Sequence, residues 1–165
     1  MLRFKDRYEA GTLMAGLLSE YAGQPNVVVM PVRHRAVDVA RGLSAALGAM
    51  YLASDAPLDE LTALKGATVI LVDDGIDSPS RFREPAMVAR SGAAVRVVAA
   101  APIGTAEACE RIGEVVDQCR CLSTPTPFRS AGFWYDDSFR DAASAIFVGT
   151  RHLDQRQSVS ASPCA

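Results

Sequence analysis

The chain has 165 residues, 49% of them apolar and 22% charged, with a formal net charge of -2. This is enough for one domain with a proper core. The charge gives no global basic field for nucleic acid. No apolar run reaches the roughly 20 residues a membrane span needs. The start, Met1-Leu2-Arg3-Phe4-Lys5-Asp6-Arg7, has no long apolar leader, so the expected location is cytoplasmic.

Residues 6–22 read as an amphipathic helix with Tyr8, Leu13, Leu17, Leu18 and Tyr21 near one face. Gly23-Gln24-Pro25-Asn26 ends it, and Val27-Val28-Val29-Met30 is a buried strand. Pro31-Val32-Arg33-His34-Arg35 forms a basic loop. A helix follows to about Leu47, with Val37, Ala40, Leu43 and Leu47 facing inward. After Gly48, Ala49–Leu52 is a second strand. Ser54 or Asp55 can cap a short helix through Leu61 and Leu64.

The third strand, about 68–73, is Val69-Ile70-Leu71-Val72 running into Asp73-Asp74-Gly75. Its apolar run suits a strand buried on both faces, and such strands deliver their C-terminal ends to the ligand crevice of an open sheet. Two carboxylates there either accept hydrogen bonds from neighbouring hydroxyls, such as those of a ribose, or simply open a polar turn.

A helix to about Arg90 comes next, then a strand at 95–101. Thr105 can cap a helix to about Ile112, and 115–122 is a fifth strand. Residues 136–148 read as a further helix, and 154–165 as a small, polar, disordered tail after a domain spanning 1–153. Alternating strand and helix means a parallel sheet with right-handed crossovers.

The four cysteines form no disulfide framework. Cys119 and Cys121 alternate in a strand, Cys109 lies in a helix and Cys164 in the tail, so reduced structural thiols and no metal site are expected. Phe133-Trp134-Tyr135 either stacks on a base or closes the core, and His152 is expected to be an exposed tail-proximal residue.

Val69 to Arg81, V-I-L-V-D-D-G-I-D-S-P-S-R, resembles the phosphoribosyl-pyrophosphate signature of the type I phosphoribosyltransferases. The resemblance extends to a bacterial branch of predicted phosphoribosyltransferases. It includes the opening Phe4-Lys5-Asp6-Arg7-Tyr8-Glu9-Ala10-Gly11, the stretch Asp117 to Pro127, and Gly132-Phe133-Trp134-Tyr135. It implies a three-layer α/β fold, a five-stranded mainly parallel sheet with helices on both faces. It further implies that Asp73 and Asp74 bind ribose hydroxyls. Asp77, Ser78, Ser80 and Arg81 would wrap a 5′-phosphate, and the loop with Arg33, His34 and Arg35 would hold a pyrophosphate. Mg2+ is expected only if phosphoribosyl pyrophosphate is bound. No catalytic residue is assigned.

Four features depart from that pattern. Pro79 stands where Gly or a small residue is wanted and has no N–H to offer a phosphate. Pro85 would break a helix begun at Pro79, so the helix is expected to start nearer 85, with 77–83 as loop. Arg35-Ala36 replaces two glycines that would allow close backbone approach. Only Ala53 to Ala67 separates the second and third strands, too little for a lid.

The functional expectation is a phosphoribosyltransferase-like protein of nucleotide metabolism. It would bind phosphoribosyl pyrophosphate or a related phosphorylated ribose ligand and transfer the phosphoribosyl group to an unidentified acceptor. The alternative is a non-catalytic descendant acting as a metabolite-binding or protein-interaction module. The expected partner is a small phosphorylated ligand, with no nucleic acid and no membrane. Homodimerisation is left open. Arg33, His34, Arg35, Arg81 and Arg83 either build an anion site across the crevice or form a solvated rim.

Overall fold

The computed structural model describes residues 3–136. The expected helix at 136–148 and the tail, with His152 and Cys164, lie outside the described residues.

Five strands form one sheet: β1 (Val27–Pro31), β2 (Met50–Tyr51), β3 (Thr68–Val72), β4 (Arg96–Ile103) and β5 (Gln118–Ser123). Their order is β2-β1-β3-β4-β5 and every pairing is parallel. The predicted α/β architecture is therefore present. Register pairs Val29 with Ile70 and Ile70 with Val98. This row faces one core with Met14, Leu18, Val39, Ala40, Leu43 and Leu47. The alternate row, Val28, Val69, Leu71, Val97 and Ala99, faces a second core with Phe82, Ala86, Ala89, Ala108 and Ile112. Period-2 alternation thus feeds two apolar layers, which is why β1, β3 and β4 read as continuous apolar runs.

The first layer holds α1 (Arg7–Met14) and α2 (Val37–Leu47). Asp6 caps α1 by accepting from the Glu9 N–H. The α1 cylinder ends early: 15–21 tightens into 3-10 geometry, with Leu18 at φ -117. The buried face is only partly the one expected: Leu18 and Tyr21 are buried, but the residues that α1 itself buries are different ones. Arg7, Ala10, Gly11 and Met14 point inward. Tyr8 and Leu13 are about half exposed, at 50% and 52%. The cause is a close crossing. A Cβ on Gly11 would collide with the Val39 carbonyl, and one on Gly42 with the Tyr8 carbonyl. Small residues had to occupy the contact, which left the bulky ones outside. On α2, Val39 rather than Val37 joins Ala40, Leu43 and Leu47 in the core. Gly48 closes the helix in the left-handed region at φ +64.

The second layer holds α3 (Ser80–Ser91) and α4 (Ala106–Arg111). Here the sequence expectation fails: α3 runs unbroken through Pro85, and the Phe82 N–H already donates to the Pro79 carbonyl. Proline in a helix interior costs about 3 kcal/mol. Phe82, Ala86 and Ala89 form an i, i+4, i+7 stripe that is wholly buried. Burying the phenyl ring alone returns about 1.5–3 kcal/mol, an amount comparable to the proline's cost, and starting the helix at 85 would forfeit it. The short segment between β2 and β3 does not stand over the crevice as a lid. It forms a 3-10 turn at Glu60–Leu64 that buries Leu64 in the core.

No helix among the described residues is long and apolar enough to cross a membrane.

Candidate functional site

Chain order reverses between β1 and β3, since β2 lies outside β1 while β4 and β5 lie beyond β3. Crevices of open α/β sheets form at such a switch point, beyond the carboxyl ends of the strands. The loops that leave β1 and β3 meet there: the Val32 N–H donates to the Val72 carbonyl.

Asp73 and Asp74 follow β3 directly and are 0% and 1% exposed. Arg33, next to β1, spans both: Nε donates to Asp73 Oδ1 at 2.7 Å and Nη2 to Asp74 Oδ1 at 2.5 Å. Asp73 Oδ1 also accepts from the Asp74 N–H at 2.8 Å. Arg7, from α1, donates Nε and Nη2 to Asp74 Oδ2 at 3.2 and 3.0 Å. The Arg7 guanidinium lies 4.5 Å from the Tyr135 ring centroid, and the Tyr135 hydroxyl donates to the Asp74 carbonyl at 2.6 Å. Burial and the nearby Asp74 charge hold the Tyr135 phenol above its usual range.

One atom of this network is left over. Asp73 Oδ2 is buried without a hydrogen-bond partner. Its nearest cation is Arg81 Nη1 at 3.8 Å, beyond hydrogen-bond reach. Burial pushes the Asp73 carboxyl up to about 6, although Arg33 pulls against it. Burial also lowers the Arg33 guanidinium, but its bonds to Asp73 and Asp74 prevail and its pKa is raised.

Past the acidic pair, Asp77 and Arg81 form a bidentate pair at 2.5 and 3.1 Å across the first turn of α3. The Ser78 and Ser80 hydroxyls lie 2.9 Å apart, and the Ser80 N–H donates to Ser78 Oγ at 3.3 Å. On the other side of the crevice, His34 and Arg35 are exposed in a 3-10 turn, while Ala36 is buried. A cleft of about 340 Å3 runs from β1 to α3, lined in part by Val32, Ser54, Leu61, Glu84 and Pro85.

The structure therefore gathers Arg33, Asp73, Asp74, Asp77 and Arg81 around one crevice. His34 and Arg35 stay at its solvent edge. Arg83 does not belong to it and lines a separate shallow cleft with Met87, Arg90 and Glu114. Phe133 to Tyr135 take the core role: Trp134 and Tyr135 cluster with Phe4, Ala10 and Ile103.

Sequence reasoning does not single out Arg7 and Tyr135 as site residues. Arg7 carried a readable signal. It occupies the same helical stripe as Ala10, Gly11 and Met14, and a charged residue on a buried stripe requires a buried partner.

No family model matches the chain. It is 36% identical over 93 residues to a Mycobacterium tuberculosis protein named "Putative phosphoribosyl transferase". That match covers 55% of this chain but only 21% of the relative. The sheet order, the switch-point carboxylates and this sequence match agree. Over those 93 residues the chain is similar to a putative phosphoribosyl transferase.

Its fold is that of the type I phosphoribosyltransferases. Glutamine phosphoribosylpyrophosphate amidotransferase from B. subtilis superposes with a TM-score of 0.57 at 19% identity, covering 81% of this chain and 39% of that one. The Thermus thermophilus protein TT1426 gives a TM-score of 0.67 at 21% identity, covering 89% and 99%. A Neisseria gonorrhoeae protein solved with bound ppGpp gives 0.59 at 15% identity, covering 90% and 98%.

Proposed function

We propose that the crevice between the β1 and β3 loops binds phosphoribosyl pyrophosphate or a closely related phosphorylated ribose. In this reading the phosphoribosyl group passes to an acceptor that the sequence does not name. The observation that carries the reading is Asp73 Oδ2, a buried carboxylate oxygen with no donor at the mouth of the crevice. An unsatisfied buried acceptor is costly, and a ribose hydroxyl is the donor that would satisfy it. A second hydroxyl can exchange for Arg33 on Asp74 Oδ1, because Arg33 is the more exposed partner of that pair, at 30% against 2%.

The 5′-phosphate is assigned to the start of α3, where a twelve-residue helix offers the positive end of its dipole. Ser78, Ser80 and Arg81 lie there, and Arg81 can trade Asp77 for a phosphate oxygen. Pro79 offers the anion no N–H, so side-chain donors carry more of this contact. Arg33, His34 and Arg35 face the pyrophosphate side.

Magnesium, expected only with the pyrophosphate, fits this donor set sparingly. Arginine occupies the other three Asp73 and Asp74 carboxylate oxygens, so Asp73 Oδ2 is the protein oxygen open to it. The ligand's oxygens and water would supply the rest. When bound, the ion would neutralise charge building on the leaving pyrophosphate. The protein's share is positioning and electrostatic stabilisation of an oxocarbenium-like ribose by the two carboxylates.

The likeness to a phosphoribosyl transferase, and a ppGpp-bound neighbour of the same fold, support a phosphorylated ribose ligand. They do not favour the non-catalytic alternative. Calorimetry with phosphoribosyl pyrophosphate and Mg2+, with pyrophosphate release followed in parallel, tests the reading. Saturable binding that is lost in Asp73→Asn/Asp74→Asn is expected. Absence of both heat and a rise in Tm at millimolar ligand overturns it, because a ligand that binds only the native state must stabilise it.

A further inference from the structure

The sequence presents Cys109, Cys119 and Cys121 as separate structural thiols. The fold brings all three Sγ atoms within 4.8 Å of one another. Cys119 and Cys121 are two residues apart on β5, so both side chains leave the same face. Their register partners on β4, Ala99 and Ala101, belong to the core beneath α3 and α4. Thr105 caps α4 over that face by accepting from the Ala108 N–H, and α4 carries Cys109 down onto the strand. Cys109 Sγ and Cys121 Sγ stand 3.1 Å apart, well beyond the ~2.05 Å of a disulfide.

The space is kept open by the residue beside it. A Cβ on Gly104 would lie 2.8 Å from Cys109 Sγ and 3.0 Å from Cys121 Sγ. All three cysteines are only partly buried, so an ion has a route in.

We propose that Cys109, Cys119 and Cys121 form a three-thiolate site for a thiophilic d10 cation of the Zn2+ and Cu+ class. Thiolate-only donors select such ions over Mg2+ or Ca2+. Tetrahedral or trigonal binding with Zn–S distances near 2.3 Å places sulfurs about 4 Å apart. The Sγ atoms, 3.1 Å apart at Cys109–Cys121 and all within 4.8 Å of one another, bracket that spacing. Ion uptake replaces the three S–H bonds by S–metal bonds and releases their protons to the buffer.

The site is distinct from the phosphate crevice but adjoins it. Gly104 bridges to Ile76, whose N–H donates to the Ile103 carbonyl and whose carbonyl accepts from the Thr105 N–H. Ile76 immediately precedes Asp77. An ion here clamps α4 to β5 directly behind the β3–α3 loop.

The test uses the full chain with Cys164→Ser, purified under reducing, chelator-free and anaerobic conditions. Zn2+ and Cu+ are each titrated against a chromophoric chelator. One ion per chain and a higher Tm are expected for at least one of the two. Cys109→Ser and Cys121→Ser should each weaken binding by more than the ~10–100-fold that losing a supporting contact costs. Co2+ substitution should give a thiolate-to-metal charge-transfer band that these variants lose while keeping the wild-type far-UV circular dichroism. A Cys→Ser variant that fails this fold check is replaced by Cys→Ala, read by the same band. The proposal is overturned if neither ion binds, if binding survives both substitutions, or if the chain instead loses two hydrogens by mass to a Cys109–Cys121 disulfide.

Discussion

Two clusters of acidic groups sit at the same end of the sheet, and the fold treats them in opposite ways. At the head of β3, two carboxylates are held by guanidiniums from elements far away in sequence, Arg7 and Arg33. Between β5 and α4, three thiols are held by one another. The carboxylates are charged in water at neutral pH, so burying them required cations already built into the chain. Thiols are neutral at neutral pH unless a neighbour or an ion draws off their protons, so they could be gathered without a partner cation. The first cluster is thus locked by protein charge, with one oxygen to spare. The second is open to an external charge.

The largest expected effect comes from breaking the lock. Arg7→Ala leaves Asp74 buried without its second guanidinium, and chemical denaturation should show a loss of about 3–5 kcal/mol. Arg33→Ala should cost clearly less, because its guanidinium is 30% exposed and water can take its place. Equal losses for the two would mean that burial does not set the strength of these pairs.

Filling the gap beside the thiols comes next. Gly104→Ala forces a methyl against Cys109 Sγ, Cys121 Sγ and the Ile76 carbonyl. Its cost should be about 1–3 kcal/mol, with loss of ion uptake, read by urea titration and metal analysis.

Asp73→Asn should move stability the other way. Asp73 titrates at about 6 in the folded chain against about 3.9 unfolded. Between these values the native state binds the extra proton, so this group's contribution to stability falls as pH rises from ~4 to ~6. The Asn variant escapes that penalty. Its Tm should exceed that of the wild type at pH 8, by on the order of 1–2 kcal/mol of stability. The difference should vanish below about pH 4. A variant less stable than the wild type at pH 8 would mean that the Arg33 bond outweighs burial.

The smallest effect marks the contrast with an exposed pair. Arg90 and Asp117 meet at 3.2 Å with both side chains largely in solvent. Arg90→Ala should change the denaturation midpoint by less than about 1 kcal/mol.

The sheet was legible because Val27–Met30, Val69–Val72 and the strand near 96 are apolar runs separated by helical spacing, which admits few arrangements. The position of Asp73 and Asp74 followed from the same strand. What escaped were effects of packing at a distance. The buried face of α1 is set by a glycine crossing with α2 that no periodicity within α1 reports. The start of α3 is set by Phe82 entering a core built from other segments, which overrode the local preference of Pro85. Arg33 is legible as a residue of the loop after β1, but its pairing with both carboxylates requires knowing that β1 and β3 are neighbours. The thiol cluster needed two facts together: that Cys119 and Cys121 share a face, and that α4 covers it.

The contact between Tyr135 and the Asp74 carbonyl spans 61 residues, and the Phe4 N–H bonds the Trp134 carbonyl nearby. The floor of the crevice is therefore assembled from both ends of the described body. On a ribosome that delivers about 5–20 residues each second, the sheet can pair well before that floor exists. Asp74 emerges early, but the hydroxyl that anchors its peptide arrives only when Tyr135 clears the exit tunnel. Vectorial synthesis thus leaves the crevice as the last part of this body to mature. A chain truncated just before Tyr135 would keep all five strands but lack the hydroxyl that anchors the Asp74 peptide.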